Sequence, residues 1–429
     1  MRVSVRLLAA LVGALAATAT QAASPMIGPV PVDFILFASV LAGVALLHQY
    51  SLKIAVAGAV VIALYKILIA GFKTGDGVPG FIGHLGHEWV LLGNLLCLLV
   101  GFALLSNHFE DSQVPKVLPH FLPDDWKGGF VLLILVFVLS SFLDNIAAAL
   151  IGGTVASAVF RKKVHIGYLA GIVAASNAGG SGSVVGDTTT TMLWLAGVSP
   201  LAVLNAYVAA VVAMIIVGVI AAKQQQAYSP IIKDAKMAHR VDWARLGIVF
   251  WILAVAIITN VLINTRFGDL GERFPVLGVA VWAAILIAVP IRKPDWSLVP
   301  NAAKGALFLL SLVLSASMMP VDHLPEASWQ TAFGLGFVSA AFDNIPLTAL
   351  AIKQGGYDWG MLAYCVGFGG SMIWFGSSAG VALASQFPEA RNAVLWVKLG
   401  WHVSVAYVVG FFVMLALTGW VPTALKAAR

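Results

Sequence analysis

The segment Ser140-Ser141-Phe142-Leu143-Asp144-Asn145-Ile146 interrupts an apolar run. It returns as Ser339-Ala340-Ala341-Phe342-Asp343-Asn344-Ile345, offset by 199 (343 − 144). A second pair follows in the same order. Gly179-Gly180-Ser181 and Gly186-Asp187-Thr188 are separated by four residues, as are Gly369-Gly370-Ser371 and Gly376-Ser377-Ser378, and here the offset is 190 (369 − 179). Two unlike motifs recurring in order mark an internal duplication, which has to be read before any local feature of the chain.

Composition says where the duplicated unit sits. Of 429 residues, 60% are hydrophobic and 10% charged, with a mean hydropathy of +0.94. A soluble domain carries roughly 25% charged residues. Apolar runs of about 20 residues recur along the whole length, so most of the chain is expected to cross lipid. Candidate crossings are 31–48, 52–72, 85–105, 165–198, 200–221, 244–264, 275–291, 305–319, 359–386 and 392–418. The polar stretches 106–127 and 222–243 read as linkers. The net charge of +6 lies in loops between spans, where it sets orientation and does not point to nucleic acid. Cys97 and Cys365 fall inside apolar segments and read as packing residues, so they do not report a redox compartment. No Walker loop or HExxH helix occurs, and an enzyme is not expected.

Residues 1–23 carry Arg2 and Arg6, an apolar stretch from Leu7 to Ala17, and small residues ending Thr20-Gln21-Ala22. This pattern fits a cleaved bacterial signal peptide or an uncleaved first transmembrane helix. Both leave the arginines inside and bring the chain out near residue 24. The expected setting is the bacterial inner membrane.

The two Asp-Asn segments decide the topology. Residues 128–160 and 328–353 each hold an apolar run broken at mid-length, the second also by Pro346. Both read as re-entrant hairpins that turn at mid-depth, where irregular backbone is tolerated only against protein or a water-filled cavity. Counting each hairpin as no crossing leaves 15 Lys and Arg inside and 6 outside. Reading 128–160 as a full crossing would move the Lys223–Arg245 cluster outside, against the positive-inside rule. The expected fold is therefore an all-α polytopic membrane protein of about 10–11 transmembrane helices. It holds two inverted repeats, two re-entrant hairpins and two glycine-broken helices. Residues 24–51 form an N-terminal span, 52–221 repeat one, 222–274 a cytoplasmic linker and connecting span, 275–418 repeat two, and 419–429 a tail. Inverted repeats place a binding site near the bilayer midplane, where they meet.

Three acidic residues, Asp144, Asp187 and Asp343, lie deep in apolar sequence. A charge there costs about 2.5–3.5 kcal/mol on insertion scales, so it is usually functional and faces the bundle interior. The structural alternative is a helix-breaking turn whose side chain caps the next half-helix, a role that coexists with ion binding. The stretch 177–191, NAGGSGSVVGDTTTT, holds four glycines and a run of hydroxyls, which disfavour a tight helix at mid-membrane. Unwinding frees carbonyls, and half-helix ends can face a cation there. Close packing of small residues is the alternative, weakened by Asp187 in their midst. Repeat two carries Ser377 where repeat one carries Asp187, so the site is expected to be asymmetric. Carboxylates, hydroxyls and freed carbonyls suit a hard cation. A buried carboxylate can hold a proton or a cation, and competition for one carboxylate pair suffices for exchange if the site alternates between sides.

Other polar residues have blander readings. Lys66, near the outer end of its span, is expected to snorkel. His84, His87 and Glu88 read as a solvated outer loop, with a pH sensor as the alternative. Lys398 and His402, one turn apart, read as a structural pair, with proton sensing as the alternative.

At these motifs the chain resembles the NhaD-type sodium/proton antiporters of the ion transporter superfamily. The segment Gly186-Asp187-Thr188-Thr189-Thr190-Thr191-Met192-Leu193-Trp194 is very similar to that family's signature after the first glycine-rich break, and the two Asp-Asn hairpins match as well. The resemblance runs from about residue 30 to the end. It implies export of sodium or lithium in exchange for protons by alternating access, with a scaffold and a mobile domain in each protomer of a homodimer. It implies no cofactor; the partners are membrane lipid and a small cation, and not nucleic acid. Carried over residue by residue, it implies an ion site drawn from Ser140, Asp144, Asn145, Asn177, Asp187, Thr189, Ser339, Asp343, Asn344 and Ser378. Two other functions within the superfamily stay open, sodium-coupled carboxylate (citrate or dicarboxylate) transport and arsenite export. The Asp-Asn tips argue against the first, because they would repel an anion not preceded by cations.

Overall fold

A computed structural model describes residues 25–47, 50–117, 122–231 and 240–424. The leader reading of 1–23 and part of the 222–243 linker lie outside the described residues. A two-residue antiparallel ladder (β1, Met26–Ile27; β2, Val30–Pro31) precedes an otherwise helical chain.

Apolar runs become helices and the polar or glycine positions between them end the helices. The first five are α1 (Val32–Leu46), α2 (Ser51–Tyr65, closing in a π-helical turn Lys66–Ala70), α3 (Gly77–Asp111), α4 (Trp126–Ser140) and α5 (Asn145–Val159). Then come α6 (Ile166–Ser181), α7 (Thr188–Leu195), α8 (Ala206–Tyr228), α9 (Trp243–Arg266), α10 (Val276–Ala288) and α11 (Val299–Ser317). The last six are α12 (Trp329–Ala341), α13 (Asn344–Gln354), α14 (Trp359–Gly369), α15 (Ser378–Gln386), α16 (Ala393–Leu399) and α17 (Trp401–Thr418). Among the described residues six helices are long and apolar enough to span a bilayer, and the shorter apolar helices fall mainly at the broken elements. The chain is an all-α polytopic membrane protein.

Side-chain caps set several starts. Asp125 accepts from the Lys127 amide, Asp242 from those of Ala244 and Arg245, and Asp358 from that of Met361. Ser328 and Thr331 form a reciprocal capping box. Each cap satisfies amides that a helix start leaves unpaired.

Both Asp-Asn segments end one helix and begin another, α4 to α5 and α12 to α13. Both glycine-rich stretches do the same, α6 to α7 and α14 to α15. The halves pack alike: α4 lies on α6 and α12 on α14, while α5 lies on α15 and α13 on α7, so each hairpin's second arm meets the broken helix of one or the other half. With α8 and α17 these elements form one packing group. A second group joins α1, α2, α3, α9, α10 and α11. The groups meet where α11 and α3 face α13, α5 and α7.

Four expectations are corrected. Helix α3 begins at Gly77, so His84, His87 and Glu88 lie on a helix and not in a solvated loop; His84 is buried with Nε2 2.9 Å from Ser317 Oγ. Lys66 does not snorkel. It is buried 3.2 Å from Asp33 Oδ1, an acidic residue at the start of α1 that is itself fully buried. Lys398 and His402 are not a pair: the chain breaks at Gly400, leaving Lys398 exposed on α16 and His402 buried on α17. That break also divides the single crossing expected at 392–418.

Candidate functional site

The site is assembled from the four broken elements. Asp144 and Asp343 stand at the starts of α5 and α13 with nearly the same backbone, φ −55° and ψ 141° against φ −52° and ψ 140°. Asp343 Oδ1 accepts from the Ile345 amide at 3.0 Å. In the first glycine-rich break Asp187 begins α7 and accepts from the Thr189 amide at 3.0 Å. In the second, Ser377 begins α15 and its hydroxyl accepts from the Gly380 amide at 3.3 Å. In Asp187, Asp343 and Ser377 capping and a place in the site thus coexist. The hairpins reach the breaks because glycine lets backbones touch: a Cβ on Gly179 would collide with the Phe137 carbonyl, and one on Gly369 with the Gly336 carbonyl.

The side chains converge on one carboxylate. Asn145 donates to Asp187 Oδ2 at 3.2 Å and Asn344 reaches the same oxygen at 3.5 Å, so the asparagines of both hairpins meet there. Asn145 also donates to Asn177 Oδ1 at 3.0 Å. Asn177 in turn donates to Ser371 Oγ at 2.9 Å and Ser377 Oγ at 3.1 Å, carrying the network into the second break. Asp187, Asn145, Asn344 and Asn177 are all buried. Asp187 receives donors only, the complement of a carboxylate that accepts at both oxygens. The Oγ of Ser140 and Oγ1 of Thr189 are buried and make no hydrogen bond among the described residues. An unpaired buried hydroxyl costs about 1–3 kcal/mol, and such atoms call for a functional account.

Two cavities open on these residues. One of about 460 Å3 lies between α3 and α11 on one side and α5 and α7 on the other, and Asp144, Asp187, Thr188 and Thr191 line it. The second, about 340 Å3, holds Asp343, whose Oδ2 accepts from Ser378 Oγ at 3.0 Å. Ile146, Gly305 and Leu309 line both. Among the described residues no Lys, Arg or His lines either cavity.

Of the ten residues singled out in the sequence, Asn145, Asn177, Asp187, Asn344 and, through its backbone amide, Thr189 share one hydrogen-bonded network. Asp144 shares its cavity with Asp187. Asp343 and Ser378 pair in the neighbouring cavity, so the carboxylates that face one space are Asp144 and Asp187 rather than the two hairpin aspartates. Ser140 is buried and unpaired. Ser339 instead donates to the Val366 carbonyl at 2.7 Å and joins α12 to α14. Ser371 and Ser377 are site residues absent from that set. The repeat alignment could have found them, since Ser371 corresponds to Ser181 and Ser377 to Asp187.

Fold and site together define a polytopic membrane protein in which broken helices from two related halves surround a buried carboxylate. The chain matches no protein-family model. It is 29% identical over 321 residues to sodium/proton antiporter 1 of Arabidopsis thaliana, covering 66% of this chain and 52% of that protein. Sodium/proton antiporter 2 of the same plant is 26% identical over 322 residues, covering 67% and 73%. The Na(+)/H(+) antiporter NhaD of Vibrio parahaemolyticus is 26% identical over 314 residues, covering 60% and 72%. The alignment spans about half the length of the first of these relatives. By sequence the chain is similar to proteins named sodium/proton antiporters, one of them an NhaD.

Proposed function

We propose that the chain exchanges sodium or lithium for protons by alternating access across the bacterial inner membrane, as a homodimer in the assembly the resemblance implies. The observation that carries this is the convergence of Asn145 and Asn344, one from each hairpin, on Asp187 Oδ2. A carboxylate in that position binds a small cation or a proton, and each displaces the other. Asp144 adds a second carboxylate on the same cavity, and Thr189 Oγ1 and Ser140 Oγ are neutral oxygens of the kind a hard cation takes. The amides that hold Asp187 come from α5 and α13, whose outer faces meet α3 and α11. Sliding the packing group of α4 to α8, α12 to α15 and α17 as a body past α3 and α11 would turn the site from one side to the other without breaking that network. The kinship with proteins named sodium/proton antiporters supports the choice of ions. Carboxylate import has less support, because among the described residues neither cavity offers a cationic side chain to an anion.

The test uses everted membrane vesicles carrying the protein, energised to an acid interior and followed with a pH-sensitive dye. Sodium or lithium added to the bath should discharge the pH gradient. No discharge by either ion, or uptake of citrate or succinate without cation–proton exchange, would refute the proposal.

A further inference from the structure

The larger cavity extends beyond the buried site. It follows α3 from Leu95 to Glu110, about 22 Å at 1.5 Å per residue. Its inner end holds Asp187 and Asp144. At its far end Glu110, Asn107, Ser106 and Asn301 gather where α3 ends and α11 begins, and Glu110 and Asn301 are exposed there. Most of the wall between is apolar: Leu95, Leu98, Leu99, Phe102, Leu309 and their neighbours. Among the described residues, every charged side chain lining this cavity is acidic. Asp111, next to Glu110, is neutralised by Arg245 at 3.1 Å, whereas Glu110 has no Lys or Arg within ion-pair distance among the described residues.

We infer that Glu110, with the side-chain amides of Asn107 and Asn301, forms a collecting station for small monovalent cations at the mouth of the cavity that leads to Asp187. One unpaired carboxylate at the opening of a low-dielectric channel focuses its field along the channel and raises the local cation concentration. Asn301 offers its side-chain carbonyl to a partly dehydrated cation, Asn107 offers the lone pair left by its hydrogen bond from the Asp295 amide, and the apolar wall beyond gives the cation no stopping place before the buried carboxylates. The station rests on the exchange reading for the identity of its cation, though not for its electrostatics. By the distribution of Lys and Arg it faces the cytoplasm, the bath side of an everted vesicle.

Two measurements test it on the full-length protein in vesicles. In the first, Glu110→Gln should raise the half-saturating sodium concentration about fivefold at low ionic strength, the weight of one unit charge near 4 Å in water. That increase should shrink in 1 M impermeant salt, where the screening length is about 3 Å. The rise in half-saturation should exceed any fall in maximal rate, and Glu110→Asp should restore most of the affinity. In the second, Ala302→Cys places a thiol on the cavity wall, read against the background of Cys97 and Cys365. Its rates with a cationic and an anionic methanethiosulfonate should favour the cation, and Glu110→Gln should lower their ratio roughly tenfold. An unchanged ratio overturns the station. A lowered ratio with unchanged sodium dependence overturns its role for the transported ion. If the unsubstituted protein answers neither sodium nor lithium, the exchange reading falls and the thiol ratio alone decides the station.

Discussion

Asp187→Asn separates charge from shape at the site. The amide keeps the outline of the carboxyl and can still cap the Thr189 amide through Oδ1, since Asn and Asp are nearly equivalent N-caps. What it removes is the negative charge, and it turns an –NH2 toward the amide groups of Asn145 and Asn344. For a cation about 4 Å away at an effective dielectric near 20, the lost attraction is about 4 kcal/mol, close to a thousandfold in affinity. A half-saturating concentration in the millimolar range would move beyond any usable one, so the variant should be silent in the vesicle assay. The two stranded donors add a cost of about 1–3 kcal/mol each, so the purified variant should melt earlier while still eluting as a folded species. Sodium-driven discharge at near wild-type half-saturation in a folded Asp187→Asn protein would refute the reasoning, because among the described residues only Asp187 receives both hairpin asparagines.

Asp343→Asn should weaken exchange less than Asp187→Asn, since Asp343 faces a separate cavity; equal loss in the same vesicle titration would place it in the ion path directly. Lys66→Met or Asp33→Asn alone should destabilise by about 3–5 kcal/mol by stranding a buried charge, and the double variant should recover much of it, as thermal melts would show. Gly179→Ala should destabilise by about 1–3 kcal/mol, because the added methyl meets the Phe137 carbonyl and pushes the first hairpin off α6; an unchanged melting temperature would contradict that contact. At the start of α9 a hydrogen bond from Arg292 Nε, 2.9 Å from Oδ2, holds the Asp242 carboxyl below the usual carboxylate range. The stabilisation is therefore complete above about pH 3.9 and is lost as the pH falls through the lower folded value. Arg292→Ala should raise hydrogen exchange in the first turn of α9 at neutral pH, and the difference from wild type should shrink as the pH falls through the lowered folded value.

The repeated Asp-Asn and glycine-rich motifs disclosed the architecture because each breaks an apolar run, and a break in lipid is costly enough to be informative. They also pointed to Asp144, Asn145, Asp187, Asp343 and Asn344. Which carboxylates would share a space was not legible, because it depends on how deeply each hairpin meets the opposite half. Burial of Lys66 with Asp33 was hidden for a related reason: an acidic residue just after Pro31 reads as an ordinary helix start until α1 and α2 are packed together. His84 was misread because polar residues early in α3 look like loop, yet α3 simply begins sooner and one face of that turn lies against Ser317. Ser339 shows the limit of transferring roles by motif. Its hydroxyl is at the expected position in sequence, but it donates its hydrogen bond to the Val366 carbonyl.

At the crossing of the two glycine-rich breaks the halves are complementary and not alike. Asn177 corresponds to Gly367 (367 − 177 = 190) and Asp187 to Ser377 (377 − 187 = 190). A Cβ on Gly367 would already lie 3.4 Å from Ser181 Cβ and 3.7 Å from Asp187 Oδ2. A protein fused from two copies of the first half would drive an asparagine into that carboxylate, and one fused from two copies of the second would bring no acid there at all. Divergence of the twins was thus a condition of the chemistry, and neither gene half could have been swapped for the other once it was under way.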